Sequence, residues 1–195
     1  MYHFKRSDSM KKSLPLLILA TALLFSVSVI AQPSLEIGPA YSMPTGDFGD
    51  DLDPGMGAGA NVFVGLPTLP FQLGGRIAYN RFTADSDAGD LEESIIEVIP
   101  SIRYILGPPL SPVKIFAQFG VGAYMWKSKF EPINKIVSAA LDSEDDGVDF
   151  GFSIGGGVRA KLGPLVGLTA MPLYNIIMTE DESTSYLSLN VALTF

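Results

Sequence analysis

The chain has 195 residues, 47% of them hydrophobic, and a mean hydropathy of +0.30, enough for one domain with a sizeable core and more apolar than an ordinary soluble protein. A formal net charge of −8 sets the surface against nucleic acid, and the absence of cysteine excludes disulfide frameworks, thiolate metal sites and thiol chemistry. The one histidine, His3, lies in the leader described next, so the remainder lacks the usual general base and the usual imidazole ligand; no catalytic residue, cofactor or metal is expected.

Residues 1–31 read as a cleaved export signal. Lys5, Arg6, Lys11 and Lys12 precede an apolar run from Leu14 to Ile30, and Val29-Ile30-Ala31 before Gln32 places branched or small residues where a signal peptidase reads. The competing reading, an uncleaved anchor, has a 17-residue run, near the lower limit for crossing a bilayer. Met10-Lys11-Lys12 also has the form of a signal start, so translation from Met1 or from Met10 both fit. Cleavage leaves one domain, 32–195, with nine basic against 20 acidic residues.

In that domain no window is apolar for the length of a membrane-crossing helix, but segments of about ten residues carry an apolar side chain at every second position, the period of a β-strand. In chain order the alternation predicts strands over Leu35–Ser42, Met56–Leu66, Phe71–Phe82, Ile95–Leu106, Val113–Trp126, Phe150–Leu162, Leu165–Met178 and Ser185–Phe195. The last is the clearest: Leu187, Leu189, Val191, Leu193 and Phe195 share one face, and Ser188, Asn190, Ala192 and Thr194 the other. Short connections such as Gly107-Pro108-Pro109 and Gly163-Pro164 alternate with longer loops. The first loop holds Asp47, Asp50, Asp51 and Asp53, the second Asp85, Asp87, Asp90, Glu92 and Glu93. The third holds Glu131, Asp142, Glu144, Asp145, Asp146 and Asp149, and the fourth Glu180, Asp181 and Glu182. Together these are 18 of the 21 acidic residues, all at one end of an up-and-down sheet.

Period two does not say which face points inward, so the second face decides. It carries Glu36, Asn61, Gln72, Arg76, Asn80, Glu97, Ser101, Arg103, Lys114, Gln118, Ser153, Arg159, Lys161, Thr169 and Asn175, interleaved with glycines 38, 59, 74, 120, 122, 151, 155 and 157. Charge, amide and glycine suit the crowded interior of a narrow barrel. On the apolar face Tyr41, Tyr79, Phe150 and Tyr174 fall towards the acidic end and Phe71, Tyr104 and Phe195 towards the other, as two interfacial girdles. Ten residues rising about 3.3 Å each at a tilt of about 40° span roughly 25 Å, the height of an apolar band. The expectation is an all-β, eight-stranded antiparallel up-and-down transmembrane β-barrel, with its acidic end outside and its short turns in the periplasm. Pro39, Pro100 and Pro172 interrupt predicted strands and call for bulges or local breaks, and Trp126 falls on the inward phase unless a bulge turns it out.

The closing segment Ser185-Tyr-Leu-Ser-Leu-Asn-Val-Ala-Leu-Thr-Phe195, with its terminal aromatic, and Met43-Pro-Thr-Gly-Asp-Phe48 resemble the small outer-membrane β-barrel family that includes OmpX and the OmpA membrane domain. The resemblance covers residues 34–195. It implies residence in the bacterial outer membrane, contact with its lipid, and insertion by the barrel assembly machinery, with Phe195 as the assembly signal. The His- and Ser-dependent chemistry of some small barrels has no counterpart in this chain.

Within the lumen, Glu36 and Glu97 face Arg76, Arg103, Lys114, Arg159 and Lys161, and a structural salt-bridge plug is expected there, with Glu97 and Arg103 in one network. The functional expectation is a non-enzymatic structural or surface-interaction role. The alternatives are a narrow channel for small solutes or ions, and a soluble periplasmic barrel binding an apolar ligand. Asp47, Asp50, Asp51 and Asp53, or Asp142, Glu144, Asp145 and Asp146, offer hard oxygen ligands without calcium-loop spacing, so a solvated surface or cation bridging to lipopolysaccharide is the plainer reading. Ile133, Ile136, Val137, Ala140 and Leu141 have helical spacing after Pro132, with Lys127 and Lys129 placed to meet lipid phosphates.

Overall fold

The computed structural model describes residues 33–195 apart from 47, 50–51, 67–68, 87–88, 109–110, 133–142 and 180–182. The expected signal, the expected helix over 133–141 and Asp47, Asp50, Asp51 and Asp142 of the acidic clusters lie outside the described residues. Eight strands follow one another: β1 (Pro33–Thr45), β2 (Gly55–Gly65), β3 (Phe71–Ser86), β4 (Gly89–Leu106), β5 (Val113–Pro132), β6 (Ser143–Lys161), β7 (Gly167–Met178) and β8 (Ser183–Thr194). Each pairs antiparallel with its sequence neighbours, and β8 pairs with β1 to close the barrel.

The face that points outward is the apolar one. Ile37, Ile77, Ile115, Phe119, Val121, Ile154 and Leu193 are all exposed, as are the girdle residues Tyr41, Tyr79, Tyr104, Phe150, Tyr174 and Phe195. The polar phase is buried: Glu36, Asn80, Glu97, Arg103, Ser153, Asn175 and Ser188 are 0% exposed. A soluble ligand-binding barrel needs the opposite arrangement, so that alternative fails on the sign of its faces.

The three prolines break the ladder without shifting it. Leu35 and Phe195 exchange both backbone hydrogen bonds, at 3.1 and 2.8 Å, so the odd-numbered residues of β1 are the ones that bond to β8. Pro39 falls on that phase opposite Val191 with no N–H to give, and the β1–β8 pairing lapses at 38–39 before resuming in the same register. By the same phase argument from Ile105 N–H to Pro70 O (2.7 Å) and Leu162 N–H to Val166 O (3.0 Å), Pro100 meets Val121 and Pro172 meets Gly156. The β4–β5 and β6–β7 ladders lapse there too. On its other side each proline stays paired, with Ala58, Gly75 and Leu189 respectively. These are the local breaks expected, and no bulge accompanies them.

Trp126 is likewise unbulged: the β4–β5 register runs unchanged from Val98↔Ala123 through Ile95↔Trp126 to Gly89↔Pro132. Trp126 therefore points inward, where Nε1–H donates to Asp149 Oδ2 at 2.7 Å and the indole lies over Gly147; a Cβ there would meet it at 2.7 Å.

Strands β3 to β6 run past the apolar alternation. β5 continues from Trp126 to Pro132, β6 begins at Ser143, and the second acidic segment is not a long loop but a hairpin, with Ser86 paired to Gly89. Backbone pairing needs no apolar face once strands stand in water, so polar sequence there concealed strand.

Closure brings β1 and β8 into close approach at Gly38, where a Cβ would lie 1.9 Å from the Val191 carbonyl oxygen and 2.6 Å from Ala192 Cα. Backbone cannot retreat from a methyl group as a side-chain tip can. We expect Gly38→Ala to destabilise the barrel by about 2–3 kcal/mol. The check is the unboiled SDS gel: the parent keeps its fast-migrating form until heated, and the variant loses that form at a lower temperature.

Candidate functional site

The lumen is filled by two separate ionic clusters and an apolar cap. Nearer the short turns, Glu36 on β1 receives a bidentate pair from Arg103 on β4, NH1 to Oε1 at 2.8 Å and NH2 to Oε2 at 3.0 Å. Arg159 NH2 on β6 and Thr169 Oγ1 on β7 (3.3 Å) also donate to Oε1. Arg103 gives Nε and NH2 to Gln118 Oε1 at 3.2 and 2.9 Å. Its guanidinium is stacked between two rings, 3.9 Å from the Phe63 centroid and 4.0 Å from that of Phe116. A planar cation suits this position, since it satisfies a carboxylate edge-on while its faces meet aromatic rings.

Further along the axis Glu97 on β4 organises a second cluster. Arg76 Nε donates to Oε2 at 2.7 Å, and Asn80 Nδ2 (2.6 Å) and the Tyr186 hydroxyl (2.7 Å) donate to Oε1. Arg76 NH2 reaches Asn190 Oδ1 at 2.7 Å, and Ser42 Oγ donates to Asn80 Oδ1 at 2.9 Å. With Arg76 NH1 reaching Asn61 Oδ1 on β2 at 3.5 Å, every strand except β5 to β7 has a side chain in this cluster; the Tyr124 hydroxyl joins β5 to Asn175 on β7 at 3.3 Å just beside it.

At the acidic end the lumen turns apolar. Phe82, Ile95, Ile99, Tyr124, Ile177 and Tyr186 pack together, and the β1–β2 loop adds Leu52, with Phe48 and Trp126 against the cluster. Phe48 meets the Phe82 ring edge-on at 5.5 Å, and Phe82 meets Tyr186 at 5.6 Å. Two backbone bonds set this loop: Gly49 N–H to Gly46 O (2.8 Å), with Gly46 at a left-handed φ of 65°, and Asp53 N–H to Thr83 O (2.9 Å).

Of the seven charged residues expected in one network, the structure places Glu36, Arg103 and Arg159 in one cluster and Glu97 with Arg76 in the other. Glu97 and Arg103 are thus not partners: they stand six residues apart on β4, at two levels of the lumen. Lys114 and Lys161 belong to neither. Lys114 is half-buried and Lys161 exposed, and among the described residues neither makes an ion pair. Phe195 lies on the outward face, its backbone paired to Leu35. Among the described residues no group of three or more acidic or histidine side chains is disposed to hold a metal ion. Phe63, Phe116, Tyr124 and Tyr186 are not among the expected site residues although strict parity puts them inside; attention to polar residues on that phase passes over the rings between them. Phe48 and Leu52 carry no periodicity and are not findable that way.

Burying a carboxylate is tolerable only while its cation and its other donors are in place. We expect Glu97→Gln, which strands the Arg76 charge, to cost about 3–5 kcal/mol. The double change Glu97→Met with Arg76→Met removes both charges and recovers most of that loss. Guanidinium unfolding of the barrel in lipid vesicles measures both, and a single variant as stable as the parent overturns the assignment.

An outward apolar belt with aromatic girdles, a closed ladder and a packed polar lumen define a transmembrane barrel of the bacterial outer membrane. The sequence matches the model of the outer membrane protein β-barrel domain over residues 17–195, and the chain belongs to that family. Among solved structures it is similar to the Neisserial surface protein A, at 16% identity and a TM-score of 0.58, covering 84% of this chain and 97% of that one. It is similar also to Ail of Yersinia pestis, solved with the heparin analogue sucrose octasulfate, at 18% identity and a TM-score of 0.58 over 86% of this chain and all of that one. A major outer membrane protein of Thermus thermophilus matches at 13% identity and a TM-score of 0.52, over 84% of this chain and all of that one. No curated protein sequence matches the chain.

Proposed function

We propose that this barrel is a non-enzymatic surface component of the outer membrane, with its acidic end outside, and that it engages a basic partner along the raised wall formed by β3 to β6. The observation that carries this reading is the unequal height of the barrel. β3, β4, β5 and β6 have 16, 18, 20 and 19 residues, against 13, 11, 12 and 12 for β1, β2, β7 and β8. On β6 the β7 pairing starts at Phe150↔Met178, so the segment Asp145 to Asp149 extends beyond the paired length of β7. On that extension Asp145 and Asp146, both exposed, select positive charge.

Ail was solved with a polyanion, but the rim here is acidic and would repel one, so a shared fold does not carry a shared ligand. The lumen supports the wall rather than conducting: Arg76, Arg103, Phe63, Phe82, Tyr124 and Tyr186 are fully buried inside it. Insertion by the assembly machinery through the closing strand and Phe195 belongs to the same reading, as does the absence of chemistry.

The test is binding of fluorescent polylysine and of heparin to the barrel in nanodiscs. We expect polylysine to bind at low salt and heparin not to, and Asp145→Lys with Asp146→Lys to weaken polylysine binding about tenfold or more, with a shallower salt dependence. Equal binding by parent and variant sinks the wall as the docking surface. In planar bilayers the parent should give no stable conductance step; a reproducible step would restore the narrow-channel reading.

A further inference from the structure

The other end of the barrel has the opposite charge problem. On the inward phase of its short-turn half stand four cations, Arg103, Lys114, Arg159 and Lys161, and one carboxylate, Glu36. Glu97, the next carboxylate along the axis, is taken by Arg76, and the other 18 acidic residues of the domain lie towards the far end. Glu36 is already shared between Arg103 and Arg159. Among the described side chains this end therefore carries a net excess of three positive charges.

They are also neighbours. Lys114 on β5 is the direct cross-strand partner of Arg159 on β6, and Lys161 follows two residues on, on the same face. Like charges directly opposite in an antiparallel pair are unfavourable, and this pair sits in a partly enclosed mouth where water screens less. Arg159 commits NH2 to Glu36, while its Nε–H is buried and has no hydrogen-bond partner among the described residues. A guanidinium Nε–H left empty beside two amines without ion pairs is a donor set awaiting an acceptor.

We propose that this mouth binds a phosphate group, held by Lys114, Arg159 and Lys161. A phosphate fits better than a carboxylate on two counts. It carries up to two negative charges against an excess of three, and its tetrahedral oxygens accept donors converging from β5 and from two positions on β6. Lysine supplies mobile point charges and arginine a fixed N–H, a combination suited to an anion that enters from outside rather than to a built-in ion pair. With the acidic end outside, this mouth opens at the periplasmic leaflet. The group then belongs either to an anionic phospholipid head or to a free phosphate. The site is independent of the proposed outer wall, which lies at the opposite end.

The experiment uses the domain folded in zwitterionic detergent, titrated with inorganic phosphate and followed by phosphorus NMR line broadening, and the same protein in nanodiscs of phosphatidylcholine with or without phosphatidylglycerol. We expect Lys114→Gln with Lys161→Gln to lower affinity about thirtyfold, two lysines' worth of electrostatic attraction. Lys127→Gln with Lys129→Gln, at the far rim, should leave it unchanged. An unaltered heat shift on SDS gels shows that both variants fold. Broadening by inorganic phosphate that the first variant loses supports the site with a free phosphate as occupant. Phosphatidylglycerol-dependent protection against unfolding, lost in that variant while inorganic phosphate has no effect, supports it with a lipid head. No response to either, or a response equal in parent and variant, overturns it.

Discussion

Inside hydrocarbon a backbone N–H or C=O has no water to turn to, and most of this structure follows from that constraint. An open sheet would leave two edges of unpaired groups in lipid, so β8 must find β1, and the pairing of Leu35 with Phe195 marks where it does. The three prolines mark how far the rule bends. Each sits where its missing N–H interrupts one ladder, keeps its other neighbour, and leaves the register intact, so the lapse costs a bond and not the closure.

Closing only eight strands makes an interior too narrow to stay empty and too polar in sequence to fill with hydrocarbon. The solution is stratified. Glu36 gathers two arginines and Glu97 one, each with neutral donors from other strands, and between and above them Phe63, Phe116, Phe82 and Tyr186 take up volume that charge cannot. Such clusters add little net stability over apolar packing, but a wrong strand register would leave a charge stranded, which penalises misalignment heavily. Loop residues Phe48 and Leu52 complete the apolar cap from outside the strands.

The two ends are built for different surroundings. At one, paired strands continue into water as an acidic wall; at the other, tight turns surround a mouth with more arginine and lysine than carboxylate. The likeness to the Neisserial and Yersinia proteins, below 20% identity, is a likeness of scaffold.

The number of strands in the membrane, the face that meets lipid and the end that is acidic are all legible in the order of the amino acids. Those are read from period two and from charge, both local properties of strands half in oil. The sequence stopped short wherever the apolar belt stopped: the lengths of β3 to β6 at the acidic end and the hairpin after Ser86 carry no apolar alternation, because paired strands in water do not need one. Parity could place Glu36, Arg76, Glu97 and Arg103 in the lumen but not choose partners among them. Whether Glu97 meets Arg76 or Arg103 depends on strand stagger and barrel closure, which no single strand encodes. The tertiary structure alone decided that pairing, the burial of Leu52, and the exclusion of Lys114 and Lys161 from the ionic clusters, because each depends on distances between residues far apart in the chain.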